Sequence, residues 1–396
     1  MIDLDRYFDW AATSPVDKEL LQKAVDISCE NWANPSSTHE AGKKAREILE
    51  EARNRCAVSL NVNPRTIYFT SGGTESDQLV LLSLLAKPSK GTVLISSIEH
   101  PAVREQAQSL VKCGWNVISL PSDEYGIISA ETVKQHLTDD TMLVCIMAVN
   151  NETGVIQPIY EIADTIRKCS EGKRKPKFHV DCVQAAGKIP LDLSYDGIDS
   201  AALSSHKICG PRGIGILYLK DKIEPFVKGG GQENGIRSGT ENVTGALAFS
   251  YCLEKYYMNG NIKEVFASHD KNQEYMNYYE KCRNFIEKLS QIKGCTIIPK
   301  NRMLKNECFS PFVVQAAFKN IPGNVLLRAL DSKGFYISTG SACSSRKNSR
   351  PVLEAMHVES ALRENSVRFS FGLLTTDKGL NDLIEAVNEI NSQFNR

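Results

Sequence analysis

What most limits the fold open to this chain is an alternation. Between about residues 65 and 219, short apolar runs of strand length are separated by amphipathic stretches of helix length. The apolar runs fall at 66–70, 92–97, 116–120, 141–149, 177–181, 200–204 and 213–219, and helical spacing lies at 75–86, 102–113, 130–137 and 160–169. Short apolar strands separated by helices imply a mostly parallel sheet covered on both faces. Sheets of that kind bind ligands beyond the carboxyl ends of their strands. The residues that follow each run are therefore where chemistry is expected.

The rest of the chain is organised differently. The 396 residues exceed one ordinary core and suit two domains. Past about residue 251, helical stretches at 243–257 and 270–291 lead to strand-like runs at 295–298, 312–318, 335–338 and 367–371, with helices at 324–332 and 377–394. Helical spacing at 20–32 and 42–60 precedes the large sheet. The division predicted is an N-terminal arm, 1–14, a large domain, 15–255, and a smaller α+β domain, 256–396.

Composition removes several function classes. Lys plus Arg and Asp plus Glu number 47 each, so nothing favours nucleic acid or an anionic membrane as partner. The longest apolar run, 142–149, is far short of a membrane span, and the acidic start lacks the apolar segment of a signal peptide. The cytoplasm is the expected compartment. Twelve cysteines are scattered with no Cys-x-x-Cys and no close Cys/His cluster, which argues against a metal site or a disulfide framework. Free thiols fit a reducing compartment. Cys113, Cys145 and Cys295 lie in or beside apolar runs and read as small buried hydrophobes.

Polar residues cluster just past the strand-like runs. Thr70-Ser-Gly-Gly-Thr74-Glu-Ser opens a helix, and its backbone N–H groups with the Thr74 hydroxyl suit a phosphate; a glycine turn with an N-cap is the plain alternative. His100 follows the second run and Asn150-Asn151-Glu-Thr-Gly the fourth. Each in isolation reads as a structural histidine or an Asn/Gly turn. Asp181, in His-Val-Asp181-Cys-Val-Gln184, ends the fifth run with a carboxylate able to hold a proton on a heterocyclic nitrogen, or to cap a helix. Ser204-Ser-His206-Lys207 ends the sixth, where a buried lysine of depressed pKa would form a Schiff base. Independent turns would seldom produce this ordered series.

The run Ala201-Ala-Leu-Ser-Ser-His-Lys-Ile-Cys-Gly-Pro-Arg-Gly-Ile-Gly resembles the cofactor-lysine segment of cysteine desulfurases, pyridoxal-phosphate enzymes of the class-V aminotransferase family and fold-type I architecture. The likeness spans nearly the whole chain: Tyr7-Phe-Asp-Trp-Ala-Ala-Thr-Ser-Pro, Asn34-Pro-Ser-Ser, the Thr74 turn, His-Val-Asp-x-x-Gln, Gly229-Gly-Gly-Gln-Glu, Arg237-Ser-Gly-Thr240, Gly340-Ser-Ala-Cys343 and Val367-Arg-Phe-Ser. It implies that Lys207 forms the Schiff base and moves protons, that Asp181 pairs with the ring nitrogen, that Gln184 bonds the ring oxygen and that His100 stacks on the ring and acts as acid or base. Gly73, Thr74, Ser204 and His206 would hold the phosphate, with Thr240 reaching it from the second subunit of a homodimer. Arg368 with Asn151 would take the substrate carboxylate, assisted by Asn34; Asn151 also belongs to the cofactor site. Cys343, in a Gly/Ser-rich stretch beside Arg346 and Lys347, would receive sulfur from L-cysteine as a persulfide, giving L-alanine and supplying a sulfur acceptor such as an iron–sulfur scaffold or a thiolation enzyme.

The same resemblance leaves rivals: an aminotransferase, a carbon–sulfur lyase or a selenocysteine lyase on this scaffold, or a scaffolding relative without activity. The chain departs from the family's pattern at Asn234, where relatives carry Arg after Gln-Glu, and at Cys182 and Cys209, where many lack cysteine.

Overall fold

The structure is a computed structural model that describes residues 3–267, 273–340 and 350–395. Seven strands form the large sheet: β1 (Ile67–Thr70), β2 (Thr92–Ser96), β3 (Asn116–Leu120), β4 (Thr141–Met147), β5 (Lys177–Asp181), β6 (Ser200–Ser204) and β7 (Gly215–Leu219), in the order β1-β7-β6-β5-β4-β2-β3. Only β7 runs against the others. The strand positions follow the predicted apolar runs, with ends trimmed by up to two residues.

Side chains alternate along these strands, and both faces are buried except at the edge strand β3. Ile67, Phe69, Val144, Ile146, Ile216 and Tyr218 join one core under the helices Glu40–Leu60, Ile159–Cys169 and Val243–Tyr256. Tyr68, Leu143, Cys145, Leu217 and Leu219 join another, under Gly73–Ser83 and Pro101–Lys112. Two covered faces explain why the strands read as continuous apolar runs rather than polar–apolar alternation.

A second, antiparallel sheet has the order β10-β9-β8, from β8 (Cys295–Ile298), β9 (Val313–Phe318) and β10 (Ser366–Ser370). Its core is closed by the helices Gln273–Ser290, Gly323–Ser332 and Asp377–Phe394, and includes Phe8 from the N-terminal arm. The run 335–338 is not a strand of this sheet. Tyr336 bridges Tyr7 and Ser338 bridges Arg368. Single bridges to two different partners leave no continuous ladder. Cys145 is buried as expected, whereas Cys295 is half-buried and Cys113 exposed. Cys113 caps the C-terminus of Pro101–Lys112, where the helix reaches water. No helix among the described residues is long and apolar enough to cross a membrane, and no described cluster of three or more His, Cys, Asp or Glu could hold a metal.

Candidate active site

Five strands of the large sheet deliver side chains to one cavity of about 250 Å³ at their carboxyl ends. Gly73 and Thr74 come from beyond β1, His100 from beyond β2, and Met147 and Asn151 from the end of β4. Asp181, Val183 and Gln184 follow β5, while Ser204, His206 and Lys207 follow β6. Arg368 enters from β10 of the small sheet, and Ala11 and Ala12 from the arm.

Lys207 is largely buried, and its Nζ donates to the carbonyls of Ala11 (2.7 Å) and Ala12 (2.6 Å). Burial and the Arg368 guanidinium push its pKa down to about 8. An amine poised there reaches its neutral form at far lower pH than an ordinary lysine, which favours Schiff-base chemistry. Asp181 is buried, and Oδ1 accepts the Val183 N–H at 2.9 Å. Desolvation, with the Asp77 carboxyl, raises it to about 7. Beneath it His179 stands 2.9 Å from Asp77 Oδ1 and 2.8 Å from Ser200 Oγ, its pKa lowered to about 4 by burial.

His100 is at once a helix cap and a cavity wall. Its Nδ1 accepts the Ala102 N–H at 3.1 Å, and burial together with Lys207 lowers its pKa to about 4. The ring is therefore neutral near pH 7, with its proton on Nε2. Gln184 donates to the Ala11 carbonyl (2.8 Å) and accepts from Nζ of the buried Lys188 (2.5 Å), which fixes its amide orientation; burial holds the Lys188 pKa well below the ordinary lysine value. Asn151 presents its carbonyl to Arg368 Nη1 at 2.9 Å, and Arg368 Nη2 donates to Asp9 Oδ1 at 2.6 Å. Among the described residues, Arg368 Nε is buried and has no hydrogen-bond partner.

The helix Gly73–Ser83 begins at Gly72 with no side-chain cap, so its first amides are open to an anion. A Cβ on Gly73 would stand 2.5 Å from Val183 Cγ2, so any larger residue at this turn would have to displace the Val183 side chain. Thr74, Ser204 and His206 line the same cavity. Pyridoxal phosphate needs an amine for its aldehyde, a carboxylate for its ring nitrogen and donors for its phosphate. Lys207, Asp181 and this helix start fit all three; a cationic N–H against Asp181 opposes the upward pull of burial and favours the ionised form.

Other expected residues lie elsewhere. Asn34 is exposed and off the cavity, with Oδ1 accepting the Ser36 N–H. Thr240 is also exposed and off this chain's cavity. Cys343, with Arg346 and Lys347, lies outside the described residues. Among the described residues no cysteine lines the cavity. The sequence reading gave no role to Asp9, Asp77 or Lys188. Asp77 and Lys188 carry a local signal, three positions after Thr74 and four after Gln184 in chain. Asp9 carries none short of its contact 359 residues away.

The profile of the aminotransferase class-V family matches residues 6–383. The cysteine desulfurase IscS of Dictyoglomus turgidum is 35% identical over 391 residues, covering 97% of this chain and 94% of that protein. Its namesake from Methanosarcina thermophila is 37% identical, covering 97% and 91%. Among solved structures, a NifS-like protein superimposes with a TM-score of 0.85 at 33% identity, over 98% of this chain and 99% of that one. SspA in complex with cysteine gives a TM-score of 0.77 at 28% identity, over 94% and 100%.

Proposed function

The chain belongs to the class-V aminotransferases, as a pyridoxal-phosphate-dependent cysteine desulfurase, and from that premise we propose which of its residues carry the reaction. The carrying observation is one cavity that unites a buried amine of lowered pKa, a buried carboxylate and a buried guanidinium with an unpartnered N–H.

Pyridoxal phosphate, when bound, supplies the electron sink that labilises the substrate's Cα–H bond. Lys207 is the amine that would hold it and, when freed, the base that would take the α-proton of the substrate and return it. Asp181 would pair with the ring nitrogen. His100 would face the ring as a neutral imidazole, and Gln184, held by Lys188, would offer its amide to the ring oxygen. The start of Gly73–Ser83, with Thr74, Ser204 and His206, takes the phosphate. Arg368 Nε, with Asn151, receives the carboxylate of L-cysteine.

Cys343 is the sulfur acceptor. Its thiolate attacks the substrate sulfur; the carbon–sulfur bond breaks as the new sulfur–sulfur bond forms, its electron pair stays with the β-carbon, which takes up a proton to give L-alanine, and a persulfide is left on Cys343. The two other cysteines inside site motifs are poor nucleophiles. Burial holds the Cys182 thiol well above its ordinary pKa and pushes Cys209 up to about 11. From Cys343 the sulfur passes to an acceptor protein of iron–sulfur assembly or thiolation. The exposed Thr240 completes the phosphate site of a second copy in a homodimer.

The test is Cys343→Ala. Alanine formation from cysteine should fall to background while the holoenzyme's visible absorbance is kept, and mass spectrometry of the wild type should place the persulfide on Cys343. Undiminished turnover, or sulfur on Cys182 or Cys209 alone, would remove Cys343 from the mechanism.

A further inference from the structure

We infer that Asp9 sets how tightly Arg368 holds the substrate's carboxylate, by occupying part of the same guanidinium. The inference rests on the reading of Arg368 as the carboxylate anchor and adds a second residue to that site.

The geometry is specific. Asp9 Oδ1 accepts from Arg368 Nη2 at 2.6 Å, with Arg368 only 2% and Asp9 23% exposed. Nη1 is used by the Asn151 carbonyl, while Nε is buried and unpartnered among the described residues. A carboxylate docking in parallel on the side edge of a guanidinium needs Nε and one N–H of Nη2. The substrate would therefore take the orphaned Nε–H and share Nη2 with Asp9. Two carboxylates would then face one cation.

Asp9 has little freedom to withdraw. The Ser370 N–H donates to the Phe8 carbonyl at 2.9 Å, the Ala11 N–H donates to Ser370 Oγ at 2.9 Å, and Asp9 forms a backbone bridge with Ser370. Ser370 lies two residues beyond Arg368 on β10, so aspartate and arginine are fixed to the same strand. Asp9 is a positioning and specificity residue: it aims the guanidinium edge, and its negative charge lowers the affinity of that edge for another anion.

The variant is Asp9→Asn, which keeps an oxygen at the same place and removes the charge. L-Alanine, the product, carries the amine and carboxylate but no sulfur; ethylamine carries the amine alone. Both are titrated into the holoenzyme and followed by its visible absorbance, with thermal unfolding as a check on folding. The apparent Kd for L-alanine should fall by about three- to tenfold, the size of one partly screened charge pair, while that for ethylamine stays as in the wild type. An unchanged or weaker L-alanine affinity overturns the inference, as does an equal tightening of both ligands. Arg368→Gln separates the two levels. If it leaves L-alanine affinity intact, the anchor reading falls and Asp9 with it; if it weakens L-alanine alone while Asp9→Asn changes nothing, only the inference about Asp9 falls.

Discussion

At the scale of single residues, the site is governed by desolvation. Lys207, His100 and His206 are all shifted toward their neutral forms, chiefly by burial, and Asp181 and Asp77 likewise. Asp181 gives a measurable consequence. Its folded pKa is raised from 3.8 to about 7, so the folded protein keeps this proton where the unfolded chain has released it. The associated stability is complete below the unfolded value and is lost as the pH climbs through about 7. In cofactor-free protein, the melting temperature of the wild type relative to Asp181→Asn should therefore fall between pH 4.5 and pH 8; a flat difference would place the proton elsewhere, Asp77 being the nearest alternative. The residues legible in the sequence were those whose position follows from a strand ending: Asp181, Gln184, Ser204, His206 and Lys207 each come within three residues of β5 or β6. Asp9 was not legible as functional, because its contact with Arg368 lies 359 residues away; Asp77 and Lys188 sit close in chain to Thr74 and Gln184, but nothing in the local pattern says that they are buried against His179 and the Gln184 amide.

At the scale of elements, the large sheet was readable because apolar runs of strand length mark buried strands well. The run 335–338 misled for the same reason: its side chains are apolar enough for a strand, yet its backbone makes only single bridges, one to the arm and one to β10. A second element effect concerns the turn before Thr240. Arg53, in the helix Glu40–Leu60, makes two hydrogen bonds to the Glu233 carboxylate at 2.7 and 2.8 Å, with side chains 5% and 1% exposed. Arg53 also donates to the Ile67 carbonyl, and Glu233 accepts the Phe69 N–H, both on β1. Asn234 follows at φ 53°, a left-handed turn that asparagine tolerates better than most side chains, arginine included. Glu233→Gln should cost up to about 3–5 kcal/mol of unfolding free energy, because it leaves the buried Arg53 guanidinium with only the half-exposed Glu50 as counter-charge. Chemical denaturation measures this. Arg53→Met combined with Glu233→Leu should recover only part of the loss, since the Ile67 carbonyl and Phe69 N–H would both lose partners.

At the scale of the whole molecule, the arm joins what composition separates. Phe8 is fully buried in the core of the small sheet, stacked against Phe335 and edge-on to Phe371. Three residues later the same segment gives its carbonyls to Lys207 and Gln184 of the large sheet. Phe8→Ala should destabilise the protein by about 3–5 kcal/mol and also weaken L-alanine binding in the absorbance titration, because the Ala11 and Ala12 carbonyls that hold Lys207 and Gln184 lose their anchor. A loss of stability with ligand affinity unchanged would separate the arm's packing from its role at the site. The arm's placement also has a consequence for synthesis. Asp9 leaves the ribosome 359 residues ahead of Arg368. At ordinary elongation rates that interval is roughly 20–70 s, during which the arm has neither the strand it lies against nor the guanidinium it binds. The large sheet can assemble before β10 exists, but the site cannot close. A nascent chain halted before Arg368 is thus expected to hold a nearly complete large-sheet scaffold with an unfinished centre, and completion of the active site becomes one of the last events of folding.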